Sequence, residues 1–363
     1  MSLPLWKRLL FWGIVSFGVP GVVLALLEGS SSLVLLARDL MHTEHVVTER
    51  AHTNYDTLLG WVNRANYYSR DLYGPGIYLR TNDRGFRNNH EIAQRVPKGR
   101  TRLICSGDSF TLGFGVDNDH TWCARLEDVN PRLETVNMGQ GGYGPDQAYL
   151  WYKRDGRTLD HQLQVLAIIP GDFPRMRPRE FLGFGKPVLA LDGDTLRAEN
   201  VPVPRWSYVA PRLASYLYRK RSAVRRLRMI ELVQRSIKRI GGSLSPQALD
   251  PDSTTWLITD RMLKDLASIN RIKHSRLVVV LLPTRDDWMD TASLRWRRWL
   301  AAAAPRSGFL YVDLIGDFRA LPSESADRLF LPYHRDVYRH YGEQGHRWVA
   351  ERLYQRLLAL PEN

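Results

Sequence analysis

Five short apolar runs, separated by helical patterns, constrain this chain more than any other feature. They are Arg102–Ser106, Glu134–Met138, Gln164–Ile169, Arg276–Leu282 and Phe309–Leu314. Most are continuous rather than alternating, as strands buried on both faces are expected to be. Between them, Trp256–Ile272 places Leu257, Met262, Leu263, Leu266 and Ile269 near one helical face, and Tyr341–Leu360 does the same with Trp348, Val349, Leu353 and Leu357. Strands alternating with helices predict an α/β domain on a five-stranded parallel sheet. There is no internal repeat.

The rhythm breaks twice. Residues 41–98 form a polar, Tyr- and Arg-rich lead-in before the first strand. Residues 174–252 read as an insertion between the third and fourth strands: a Pro-rich, strand-poor stretch, then a basic amphipathic helix. The expected organisation is an anchor over 1–40, the lead-in over 41–98, and an α/β domain over 99–363 carrying the insertion.

At the N-terminus, the 19 residues Leu9–Leu27 carry no charge; Lys7 and Arg8 precede them and Glu28 ends them. That length spans a bilayer core as a helix, and is longer than the roughly 7–15 apolar residues of a signal peptide. Lys7 and Arg8 favour a cytoplasmic N-terminus. The rest of the chain is then expected outside the cytoplasmic membrane, in the periplasm or extracellular space. Cys105 and Cys123 read as buried thiols, and their spacing leaves a disulfide open. Two cysteines do not make a Cys-rich zinc site.

The net charge of +13 invites a nucleic-acid reading. The charge is local, however. Residues 212–239 hold ten Lys or Arg, with Glu231 the only acid, so this stretch carries +9 and the remainder +4. Leu213, Leu217, Val224, Leu227, Ile230 and Ile237 recur at helical spacing within it. Such a helix packs its apolar stripe on the domain, or meets an anionic membrane surface or acidic polymer. Nucleic acid is not an expected partner.

The chemistry concentrates at strand ends. The first strand runs into Gly107-Asp108-Ser109-Phe110. A serine at the carboxyl end of a buried parallel strand stands where open α/β sheets bind ligands, and a helix starting there would aim N–H groups at an oxyanion. Thr111 excludes the G-x-S-x-G elbow. Gly139, Gly141 and Gly144 also spell G-x-G-x-x-G, but Pro145 follows at once and no acidic strand end lies about 20 residues on, which argues against a dinucleotide.

The run G-D-S-F-T-L-G-F-G-V resembles the first block of the SGNH (GDSL-type) hydrolases. Asn137-Met138-Gly139-Gln140-Gly141-Gly142-Tyr143-Gly144 resembles their second block. Thr81-Asn82-Asp83-Arg84-Gly85-Phe86-Arg87 resembles a lead-in of their membrane-anchored bacterial members, and Gly345-His346-Arg347-Trp348-Val349-Ala350 their closing helix. The resemblance covers about 78–175 and 256–360. It implies a flavodoxin-like three-layer sandwich and a serine esterase without metal or cofactor. Ser109 would be the nucleophile, His340 the base and Asp336 its orienter. Gly142, with Asn137 and the third-block position, would form the oxyanion side.

Two departures stand out. Asp336 and His340 are one residue further apart than the family's D-x-x-H, so a backbone carbonyl is a rival orienter; His334 and His346 are rival bases, with His346 expected to be structural. The third block, Pro170-Gly171-Asp172-Phe173, puts Asp172 where the family carries Asn. An ionised Asp would repel an oxyanion; only burial that keeps it protonated would let it donate. The implied substrate is an ester-bearing glycan or lipid, such as O-acylated envelope polysaccharide. An O-acyltransferase on the same site and a non-catalytic glycan- or partner-binding module are the alternatives.

Overall fold

The structure, a computed structural model, describes residues 4–181, 184–205, 229–230, 232–233, 253–332 and 339–359. Most of the basic stretch 212–239, together with His334 and Asp336, lies outside the described residues. The chain divides into two compact units, residues 1–47 with 207–244, and residues 48–206 with 245–363.

In the first unit the chain is helical from Leu5 through Ala51, with a π-helical turn at Ile14–Gly18. Pro20 has no N–H to return to the preceding turn, which is where the helix loosens. Leu5–Leu35 is long and apolar enough to cross a membrane, and its apolar side chains, Phe17 and Leu26 among them, are exposed. The Met229 N–H donates to the Glu28 carboxylate at 3.0 Å.

In the second unit, β1 (Thr101–Gly107), β2 (Leu133–Gly139), β3 (Leu163–Ile168), β4 (Arg276–Leu281) and β5 (Leu310–Asp313) form one sheet. Every neighbouring pair is parallel, and the order is β5-β4-β3-β1-β2. These are the five expected strands, with ends shifted by one or two residues, in the flavodoxin-like order. The period of two in each strand feeds two cores. Ile104, Leu166 and Val279 enter the one that holds α3 (Pro145–Arg154), α4 (Ser253–Ile272) and α5 (Leu294–Ser307). Leu103, Val165 and Val278 enter the other, which holds Leu126, Phe318 and Leu353. The result is the expected three-layer sandwich.

The lead-in is part of this unit. It forms an antiparallel hairpin, Thr53–Asp56 with Gly60–Asn63, then covers the outer edge of β2: Arg87 N–H donates to Asn137 O, Asn88 Nδ2 to Thr135 O, and Asn137 N–H to Asn88 Oδ1. A bare edge strand is a template for unwanted pairing, and this segment closes it. The start of the insertion differs from the strand-poor expectation. Val188–Asp192 and Thr195–Glu199 pair as a hairpin around Gly193-Asp194, a Gly-containing two-residue turn that overrides the local Pro content.

Arg102, fully buried on β1, ties sheet to lead-in. Its Nε lies 2.6 Å from Glu134 Oε2, Nη1 donates to the carbonyls of Gln94 and Asp160, and Nη2 to that of Arg95. Arg102→Met leaves the buried Glu134 uncompensated and is expected to destabilise the unit by about 3–5 kcal/mol, read by urea unfolding, with part of the loss recovered in Arg102→Met/Glu134→Leu.

Candidate active site

The strand order reverses direction between β1 and β3, and a crevice opens above their carboxyl ends at such a point. Ser109 stands there, after β1. Gly107 is required: a Cβ on it would sit 2.2 Å from Thr111 Oγ1 and 2.6 Å from Ala167 O. Asp108 then caps α1 (Ser109–Leu112). Its Oδ1 accepts the Phe110 N–H at 2.8 Å, and its carbonyl accepts those of Thr111 and Leu112. The helix is only four residues long, ended by Gly113 at φ +91°, and Asp108 consumes the amides expected to face an oxyanion. That contribution of the helix N-terminus falls away, leaving the Ser109 backbone N–H as the donor the family resemblance implies.

His340 arrives from the other end of the chain. Its Nε2 lies 2.7 Å from Ser109 Oγ. The backbone fixes it there: Leu331 N–H donates to His340 O at 2.8 Å, Gly342 N–H to Leu329 O at 2.9 Å, and Tyr341 Oη to Pro283 O at 2.5 Å. The imidazole lies between two phenyl rings, with centroid separations of 4.8 Å to Phe110 and 4.6 Å to Phe114. Both Ser109 and His340 are nearly fully buried. Asp336, the expected orienter, and His334, a rival base, lie outside the described residues. His346 has a structural place: its Nδ1 accepts the Trp122 N–H at 3.1 Å.

The turn around Gly142 is held by the lead-in hairpin. Trp61 Nε1 donates to Gly141 O, Tyr143 Oη to Trp61 O, and Gln147 Nε2 to Leu59 O. Gly142, inside this clasped turn, has φ +75°, which a side chain would strain. Asn137 does not share this role. Its Nδ2 donates to Thr111 O at 3.0 Å and its Oδ1 accepts the Gly139 N–H, so its amide is spent tying α1 to β2.

Asp172 is buried after β3. Its Oδ2 accepts the Ile169 N–H, and its Oδ1 lies 2.6 Å from Arg175 Nη1. The same Nη1 lies 3.3 Å from Asp108 Oδ2 and donates to Tyr143 O at 3.1 Å. Asp108 Oδ2 in turn accepts from Ser109 Oγ at 3.4 Å. Burial, and next the charge of Asp108, push the Asp172 carboxyl well above the usual carboxylate range. That shift favours the protonated form, the condition under which an Asp in this place has an O–H to give. Arg175, three residues beyond Asp172, had no role assigned from the sequence. Its signal was no more than the first of three arginines, Arg175, Arg177 and Arg179, after the third block.

No family model matches the chain, and no curated protein matches it. Among solved structures it is similar to a member of the lipolytic protein G-D-S-L family from Veillonella parvula, at 14% identity over 72% of this chain and 100% of that one, TM-score 0.35. It is also similar to the acetylxylan esterase Axe2 from Geobacillus stearothermophilus, at 11% identity over 72% and 96%, TM-score 0.39. A third is LAE5, an alpha/beta hydrolase from the metagenome of Lake Arreo, at 14% over 72% and 97%, TM-score 0.40. The chain's own strand order is the one the SGNH resemblance implies.

Burial, and next the charge of Arg87, push the His346 pKa well below its ordinary value. The unfolded chain takes up a proton there below about pH 6.5, whereas the native state does not, so this residue costs stability as pH falls through that value. His346→Asn keeps an acceptor for Trp122. Its melting temperature is expected to fall less steeply than the parent's between about pH 7 and pH 5.

Proposed function

We propose that this protein is a membrane-anchored serine ester hydrolase of SGNH type. The observation that carries the reading is the 2.7 Å contact between Ser109 Oγ and His340 Nε2, residues 231 positions apart, at the sheet's switch point. A free serine is a weak nucleophile, and a neutral imidazole at this distance can take its proton. In the proposed reaction Ser109 Oγ attacks the ester carbonyl carbon as its proton passes to His340 Nε2. The tetrahedral oxyanion is received by the backbone N–H groups of Ser109 and Gly142. The intermediate collapses to an acyl-serine, and His340 returns the proton to the departing alcohol oxygen. Water, deprotonated by His340, then releases the acid and restores Ser109.

Asp172 takes the place of the family's Asn in its protonated form. Arg175 contacts both carboxyls, Asp172 at 2.6 Å and Asp108 at 3.3 Å, and burial together with the nearby charge of Asp108 favours the protonated form of Asp172. The helix Leu5–Leu35 supports an anchor in the cytoplasmic membrane, with the catalytic unit on its outer side. The +9 stretch 212–239 suits an anionic lipid surface. The substrate class proposed is an ester-bearing envelope polysaccharide or lipid.

The test uses the full chain in detergent. The parent is expected to hydrolyse p-nitrophenyl acetate and to take up a fluorophosphonate label, and Ser109→Ala is expected to lose both. Equal hydrolysis by the two proteins, or an unlabelled parent, would leave a non-catalytic binding module as the better reading. Asp172→Asn, neutral and of the same shape, is expected to stay active. Asp172→Ala is expected to lose about 10²–10³ in kcat, the usual worth of one oxyanion-hole donor.

A further inference from the structure

Arg87 closes the lead-in motif Thr81–Arg87 and is buried, yet it belongs to no part of the reaction described above. Its five N–H groups are all engaged. Nε donates to Asn118 Oδ1 at 2.8 Å. Nη1 donates to Leu112 O at 2.8 Å and Gly113 O at 2.6 Å. Nη2 donates to Val116 O at 2.6 Å and Tyr78 O at 3.3 Å. None of these five acceptors is a carboxylate. A buried guanidinium spent on neutral oxygens is a costly way to fill space, since an apolar side chain of that length would fill it without desolvating a charge. What the guanidinium adds is direction: a planar fork that no other side chain has.

The directions converge on one loop. Leu112 and Gly113 end the nucleophile helix, and Val116 lies just beyond. Between them is Phe114, whose ring lies 4.6 Å from the His340 imidazole on one side and 4.7 Å from the Tyr73 ring on the other. The Arg87 guanidinium carbon lies 5.9 Å from the centroid of that same Tyr73 ring. Phe114 is itself buried. We propose that Arg87 is a positioning residue: by clamping the carbonyls on either side of Phe114, it holds the ring that keeps His340 Nε2 against Ser109 Oγ. The proposal rests on the reading of Ser109 and His340 as nucleophile and base, and it assigns the lead-in motif a part in the reaction it never touches.

A Lys at 87 has three donors on a flexible stem and cannot serve Gly113, Val116 and Asn118 together. Phe114→Leu keeps an apolar side chain but removes the flat face. In the full chain, Arg87→Lys and Phe114→Leu are each expected to lower kcat for p-nitrophenyl acetate by about 100-fold, the scale of a 1 Å misplacement, with KM near the parent's. The double variant is expected to fall no lower than the worse single, because both act through one path. A folded single variant with the parent's kcat, or a double whose loss is the product of the two, would overturn the proposal. If Arg87→Lys does not fold, Phe114→Leu carries the test. A crystal structure of Phe114→Leu supplies a readout that does not depend on turnover. Separation of His340 Nε2 and Ser109 Oγ past hydrogen-bond reach is expected, and retention of the 2.7 Å contact would refute the role. A parent without Ser109-dependent hydrolysis would instead sink the esterase reading, and that structure would still decide whether Phe114 places His340.

Discussion

Strand β1 has parallel partners on both flanks, β2 on one side and β3 on the other, and this arrangement sets everything above it. The next strand along the chain, β2, is laid on one side of β1, while β3, β4 and β5 are laid in turn on the other. The connections after β1 and β3 must therefore part, and the crevice between them receives the residues that end those two strands. Ser109 follows β1 and Asp172 follows β3, so the two positions with most chemical consequence face one opening. Their register is held by main-chain bonds inside a sheet buried on both faces, among the least deformable parts of a protein.

Charge is handled unevenly across the site. Around the His340 imidazole the neighbours include two phenyl rings, Phe110 and Phe114. Beside Ser109, Asp108, Asp172 and Arg175 bring two carboxyls and one guanidinium together. The Arg175 guanidinium contacts both carboxyls. Burial disfavours the charged form of Asp172, and the counter-charge of Arg175 favours it, with burial the larger effect.

The lead-in, which looked like a polar connector, turns out to be a second scaffold. The Thr53–Asn63 hairpin clasps the turn around Gly142 through Trp61, Asn88 closes the sheet edge, and Arg87 clamps the loop after the nucleophile. Each link is a hydrogen bond to a main-chain oxygen. The chain between the N-terminal helix and the first strand therefore grips the backbone at both sides of the crevice, where side-chain identity matters least and geometry most.

The order of layers, the five strands and the position of Ser109 were legible in the sequence, because burial on both faces forces continuous apolar runs and ligand-binding residues gather at strand ends. His340 was legible through its interval to Gly345-His346. The bonds of Asn137 were not legible, because a motif gives the residue and not the direction of its amide, which only α1 packed on β2 decides. The fate of the α1 amides was hidden for a similar reason: Asp108 takes up the Phe110, Thr111 and Leu112 N–H groups itself. Arg175 and Arg87 could be seen as cations and no more, since their partners are carbonyls and carboxyls from distant parts of the chain. By itself the sequence determined the five strands of the sheet and which side chains could react, because those follow from local periodicity and side-chain chemistry. The burial of Asp172, the packing of His340 against two rings and the reach of Arg87 were decided only by the tertiary structure. Burial and long-range contact set a charge's cost and a side chain's direction, and neither is a property of neighbours in sequence.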